Sequence, residues 1–151
     1  MKTLQITFIS ILTIVFLGCS PQKSKDFEHL EKYFKETHKF KINDKIDKIV
    51  VLTEGASCAS CDKIFARTAF EHLQNENTVY LVTATGNIVD IQPFLMLEKN
   101  CFFDWQLNRA EYSEFSSSRV IYLKNNVIDT IIIINSNEIR EQLEYLKNKL
   151  L

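Results

Sequence analysis

The sequence predicts an α/β domain with a central mixed sheet flanked by helices. Two stretches carry that prediction. Ile49-Val50-Val51-Leu52, a helical pattern after Gly55 and the run Thr78–Ala84 follow one another over about 35 residues, the order of a βαβ unit with parallel strands and a right-handed crossover. Val120–Lys124 and Val127–Ile134, separated by Asn125-Asn126, form an antiparallel hairpin, since asparagine tolerates the positive φ that a two-residue turn demands. One parallel and one antiparallel pairing make the sheet mixed.

The remaining elements follow in chain order. Asp26 to Phe40 spaces Phe27, Leu30, Tyr33, Phe34, Thr37 and Phe40 by three and four, with Glu28, Lys32 and Lys35 opposite, so an extra amphipathic helix precedes the first strand. Asn43 and Asp44 break it. Ile49–Leu52 is continuously apolar and mostly β-branched, the pattern of a strand covered on both faces. In the helix after Gly55, Ile64, Phe65, Thr68, Ala69, His72 and Leu73 recur at helical spacing until Asn75 and Asn77. Ile91–Glu98 predicts a helix opened by Gln92-Pro93, because proline is tolerated in a first turn. Phe102–Leu107 fits a short strand or a packed loop. A closing helix from about Ser136 puts Ile139, Leu143, Leu146 and Leu150 on one face, with Asn135 or Ser136 placed to cap it.

Of the 151 residues 46% are apolar, with three glycines and two prolines, a composition that favours a packed interior over disorder. The formal charge of −1 offers no basic surface for nucleic acid. The chain opens with Lys2 and then Leu4–Leu17, in which only Gln5, Thr7, Ser10 and Thr13 are polar. This run of about 14 residues falls short of the roughly 20 of a spanning helix, and a basic start before a short apolar stretch is the secretory pattern. It ends in Phe16-Leu17-Gly18-Cys19, which resembles the lipobox of bacterial lipoproteins, although Phe16 stands where leucine is usual. The resemblance implies a cleaved signal peptide at 1–18, lipid on Cys19, a polar tether at 19–25 and one domain at 26–151. Two or more acyl chains, at about 0.8 kcal/mol per methylene, would hold the protein permanently to the cell membrane or outer membrane, its domain outside the cytoplasm on the periplasmic side. An uncleaved anchor that happens to end in cysteine is the alternative.

Setting Cys19 aside leaves Cys58, Cys61 and Cys101, an odd number, which argues against a disulfide framework. Cys58-Ala59-Ser60-Cys61 lies between a buried strand and a helix. Such a pair can be a redox couple, a structural bridge or inert pair, or half of a metal site. Zinc would need two further ligands. His72 stands about 16 Å along the helix from Cys61, too far to share an ion, and His29 and His38 belong to the first helix. Each of these, like Cys101, is expected as a core or surface residue, so no metal and no cofactor is assigned.

With the order strand, Cys-x-x-Cys at a helix start, strand, helix, hairpin and closing helix, the stretch Lys48–Leu151 resembles the thioredoxin fold, a three-layer arrangement. The resemblance implies a disulfide between Cys58 and Cys61, with Cys58 as nucleophile and Cys61 as the resolving thiol. Helix-start N–H groups favour a thiolate at the first position, and one turn of helix brings the second sulfur within reach of the first. It implies a protein thiol or disulfide as substrate and a second protein as redox partner. Ser57 takes the place of the aromatic residue before the motif, and Ala59-Ser60 that of Gly-Pro. The family's buried acid falls on Leu52, and its substrate-positioning cis-proline on Ser118, so Ser57 and Ser118 are expected in the substrate-facing loops.

Glu54 and Asp62 are expected as solvated loop charges, and Trp105 with Phe102 and Phe103 as core. Ser116-Ser117-Ser118 has no His or acid at motif spacing, so a serine nucleophile is not supported. Two functions remain: a membrane-anchored thiol-disulfide oxidoreductase of the bacterial envelope, or an inactive thioredoxin-like lipoprotein that binds or assembles, its cysteines structural.

Overall fold

The computed structural model describes residues 25–54, 58–107 and 111–148. The expected leader, Cys19 and the tether to residue 24 lie outside them, as do Ser57 and Leu150. Among the described residues no helix is long and apolar enough to cross a membrane.

The chain forms α1 (Lys25–His38), β1 (Lys48–Leu52), α2 (Ala59–His72), β2 (Thr78–Val82), α3 (Gln92–Leu95), β3 (Cys101–Phe103), β4 (Arg119–Lys124), β5 (Val127–Ile133) and α4 (Ile139–Asn148), with one 3₁₀ turn at Ser113–Phe115. The sheet order is β3-β2-β1-β4-β5. β1 pairs in parallel with β2 and β2 with β3, while β4 runs antiparallel to both β1 and β5. This is an α/β fold with a mixed five-stranded sheet, as the βαβ and hairpin patterns require.

Alternation along the strands divides the interior in two. Val50, Leu52, Tyr80, Val82, Val120 and Tyr122 face α2 and α4, meeting Phe65, Ala69, Leu143 and Leu146. Ile49, Val51, Val79, Leu81, Ile121 and Leu123 face the other way and are covered by Phe27, Leu30, Tyr33 and Phe34 of α1. Each strand residue serves one layer because successive side chains leave opposite faces of the sheet. β1 is buried at all five positions, so its run of apolar residues needs both helical layers.

Several elements differ from expectation. α1 ends at His38, where Lys39 turns to φ 54° and carries Phe40 off the helix; Thr37 is exposed. α3 is a single turn, Gln92–Leu95, shorter than the predicted Ile91–Glu98, and only Phe94 of it is buried. Phe102 belongs to a strand, but Trp105 beyond it is 58% exposed rather than core. On α2 the buried face runs through Cys61, Asp62, Phe65, Ala66, Thr68 and Ala69, leaving Ile64 50% exposed and His72 outside the core. Of the expected stripe, Phe65, Thr68, Ala69 and Leu73 are buried, while Ile64 and His72 are not.

The hairpin turn forms as predicted, with Asn125 at φ 54° and Asn126 at φ 58°. Asn135 caps α4, its Oδ1 accepting from the N–H groups of Asn137 and Glu138 at 3.1 and 3.0 Å. Because a left-handed conformation costs an ordinary L-residue roughly 1–2 kcal/mol, Asn126→Ala is expected to destabilise the domain by about 1 kcal/mol and Asn126→Gly not at all, read by urea unfolding.

Candidate functional site

β1 leaves the sheet at Leu52, and the chain returns at Cys58 to begin α2. Cys58 is the N-cap of that helix, with extended backbone (φ −162°, ψ 139°). Its Sγ accepts the N–H of Cys61 at 3.0 Å, and its carbonyl accepts the N–H of Asp62 at 3.1 Å. A sulfur thus does what a serine or aspartate oxygen does at other helix starts: it takes a first-turn N–H that has no partner within the helix.

Cys58 and Cys61 are joined as a disulfide, their Cα atoms 5.2 Å apart. The two sulfurs are not equivalent. Cys58 is partly exposed, and the Ser60 hydroxyl lies 3.5 Å from its Sγ, whereas Cys61 is 4% exposed and packs in the core with Val50, Leu52 and Phe65. A reagent arriving from solvent meets Cys58.

Asp62, the residue after the bridge, belongs to a cluster that neither length nor spacing announced. Asp62, expected in solvent, is 1% exposed on the face of α2 that meets the sheet. Ser118, expected to face substrate, is also 1% exposed. Its Oγ accepts the N–H of Thr53 at 3.2 Å, and lies 2.8 Å from Asp62 Oδ1 and 3.3 Å from the Thr53 carbonyl. The serine hydroxyl therefore ties the end of β1, the start of β4 and the first turn of α2 together. The burial of Asp62 follows from the helical phase, since it stands three residues before Phe65 and four before Ala66.

Glu54, the other charge expected in solvent, holds the loop beyond β2. Its carboxylate accepts from Thr85 Oγ1 at 2.9 Å and from the N–H groups of Gly86 and Ile88 at 3.0 and 3.2 Å. Gly86 stands at φ 88°, a conformation open to glycine, which lets the loop wrap around the acid. Burial opposes the charge on Glu54, but the hydrogen bonds from Ile88, Thr85 and Val89 outweigh it and hold the carboxyl below its usual value of 4.5.

The other candidate residues lie apart from the bridge. His29 contacts Glu114 at 2.7 Å and stacks on Tyr112; His38 packs on Phe102 with its Nε2 3.3 Å from Tyr33 Oη; His72 is 3.9 Å from Glu71. Among the described residues no three His, Cys, Asp or Glu side chains converge as a metal would require. Cys101, at the start of β3, is a free thiol whose pKa burial pushes up to about 12. A groove along α2 and α3, lined by Ile64, Arg67, Phe70, Pro93 and Phe94, does not include either cysteine of the bridge.

Compared with protein-family models, with curated proteins and with solved structures, the chain has no significant match in any of the three.

Two outcomes follow from these environments. The amide proton shifts of Gly86 and Ile88 are expected to titrate together, with a midpoint below 4.5. A carboxyl whose pKa is lowered in the folded protein contributes stability above its unfolded value and loses it as pH falls through the folded one, so loosening of residues 85–88 begins only in that acid range. Glu54→Gln should abolish the titration. Cys101, almost wholly protonated at pH 8, should resist iodoacetamide in the native protein and react on unfolding, as mass spectrometry would read.

Proposed function

We propose that the protein is a thiol-disulfide oxidoreductase of thioredoxin-like fold, tethered through lipid on Cys19 to a membrane of the bacterial envelope, with its domain on the periplasmic side. The observation that carries this function is the bridge between a partly exposed Cys58 and a buried Cys61 at the first turn of α2, with the Cys61 N–H directed at the Cys58 sulfur. On reduction, that N–H and the positive end of the helix dipole would stabilise negative charge on Cys58, the form of sulfur that attacks a disulfide.

The chemistry is thiol-disulfide exchange. Reduced Cys58, as thiolate, attacks one sulfur of a substrate protein's disulfide, forming a mixed disulfide and releasing the other substrate sulfur as thiolate. Cys61 then attacks the Cys58 sulfur, the bridge re-forms, and the second substrate sulfur leaves. A redox partner protein returns two electrons to the bridge; in the opposite direction the same bonds are exchanged in reverse. No cofactor is called for, because the sulfurs carry the electrons.

A second function, a thioredoxin-like binding or assembly module with a structural bridge, is favoured by a specific observation. Ser118 stands at the position of the family's substrate-positioning proline and is buried with its hydroxyl turned inward. Leu52, at the position of the family's buried acid, is plain core.

Equilibration of the full chain in detergent against graded glutathione buffers, scored by alkylation and mass, separates the two. An oxidoreductase is expected to give a midpoint between roughly −120 and −270 mV, and Cys61→Ser should accumulate a mixed disulfide on Cys58. A bridge still intact below about −300 mV would assign the cysteines to structure.

A further inference from the structure

Asp62 is a buried ionisable side chain, next in the chain to Cys61 and in hydrogen-bond contact with Ser118. The hydroxyl of Ser118 has one proton to give and two lone pairs. One lone pair is committed to the Thr53 N–H at 3.2 Å. The proton then has two acceptors within reach, Asp62 Oδ1 at 2.8 Å and the Thr53 carbonyl at 3.3 Å. When Asp62 is ionised, Ser118 donates to it. When Asp62 is protonated, the carboxylic O–H can donate to the second lone pair of Ser118, whose own proton turns to the Thr53 carbonyl. Both protonation states are hydrogen-bonded through Ser118 with no heavy atom displaced. A buried acid supported in both states is suited to taking up and releasing a proton.

We propose that Asp62 holds the proton that Cys61 gives up when it resolves a mixed disulfide, with Ser118 as the positioning residue that adapts to either state. This rests on the oxidoreductase function above. In the step, the Cys61 thiol loses its proton to the Asp62 carboxylate, and the Cys61 sulfur attacks the Cys58 sulfur. The Cys58–Cys61 bond forms, the bond from Cys58 to the substrate sulfur breaks, and that sulfur leaves with the electron pair as thiolate. Asp62, now neutral, returns its proton to solvent or to the departing thiolate after release.

Among the described residues, the charged groups Glu54, Arg119 and Lys48, at the ends of the neighbouring strands, have partners of their own. Glu54, just past β1, is bound to the 85–88 loop. Arg119 of β4 donates to the Ser117 carbonyl at 3.1 Å. Lys48, ion-paired with Asp47 at 3.0 Å, lies opposite Tyr122, about 13 Å along β4 from Ser118 at about 3.3 Å per residue. Tyr145 of α4 lies near Tyr122, at that same end. The groups on Asp62's own helix start are Cys58, Cys61 and Lys63, of which Lys63 is exposed to solvent. A negative sulfur at that start therefore makes a second negative charge on Asp62 harder to hold.

The test is the carboxyl carbon resonance of Asp62 in the full chain, assigned by its loss in Asp62→Asn and followed against pH in the oxidised protein and after reduction with excess phosphine. The expected result is a titration midpoint at least one pH unit higher in the reduced form, a tenfold or greater change in proton affinity. Ser118→Ala should alter the midpoint in both forms and slow release of substrate thiol from the mixed disulfide several-fold near neutral pH, while Ser118→Thr, which keeps the hydroxyl, should restore both. Equal midpoints in the oxidised and reduced forms would overturn the role of Asp62 and leave the glutathione midpoint to decide the oxidoreductase function. A bridge that excess phosphine cannot open would overturn both.

Discussion

β1 has no face available to water. All five of its residues are buried, and its backbone is hydrogen-bonded on one side to β2 and on the other to β4. A strand with those properties forms only when helices cover the sheet above and below, so α1 on one face and α2 with α4 on the other are requirements rather than additions. The same constraint places the site. A chain leaving the middle of a sheet must emerge at its end and turn back over one face, and Cys58 stands where that return begins.

At that turn two electrostatic tendencies meet. The N–H of Cys61 and the start of α2 favour negative charge on Cys58, while a buried carboxyl group one residue beyond Cys61 disfavours a second negative charge nearby. Solvated, Asp62 would have been screened and nearly irrelevant to the sulfurs. Buried, it would act on a charge at the helix start through a medium less polar than water, where charges are felt more strongly. Ser118 is what makes such burial tolerable, since a carboxyl group away from water needs hydrogen-bond partners. Ser118 is thereby given a definite task in the architecture, linking β1, β4 and α2.

Much of the fold was legible because its signals are local. The turn at Asn125-Asn126, the four apolar residues of β1 and the cap at Asn135 each state their conformation within a few residues. The site was legible in part: the spacing of Cys58 and Cys61 identified a pair at a helix start. The places where reading failed share a cause. Ile64 and Asp62 were assigned to the wrong environments because the helical period alone does not fix where the buried stripe of α2 ends, and Asp62's partner Ser118 is 56 positions away. Glu54 was taken for a loop charge because its partners, Thr85, Gly86 and Ile88, lie some thirty positions away.

By itself, then, the sequence determined which segments alternate or run apolar, where the chain turns, and that two cysteines open a helix after a buried strand. Those properties belong to neighbouring residues and to the periods of 2 and 3.6 that their backbones impose. The tertiary structure alone decided that Cys58 is the more exposed sulfur, that Ser118 touches both Thr53 and Asp62, and that the aspartate one residue past the bridge is buried. Thr53 follows β1, Asp62 lies in α2 and Ser118 precedes β4, and their meeting depends on how β4 is registered against β1 and how α2 lies across them. No local pattern carries that information, because burial and hydrogen bonding between distant residues are properties of the packed sheet and its helices.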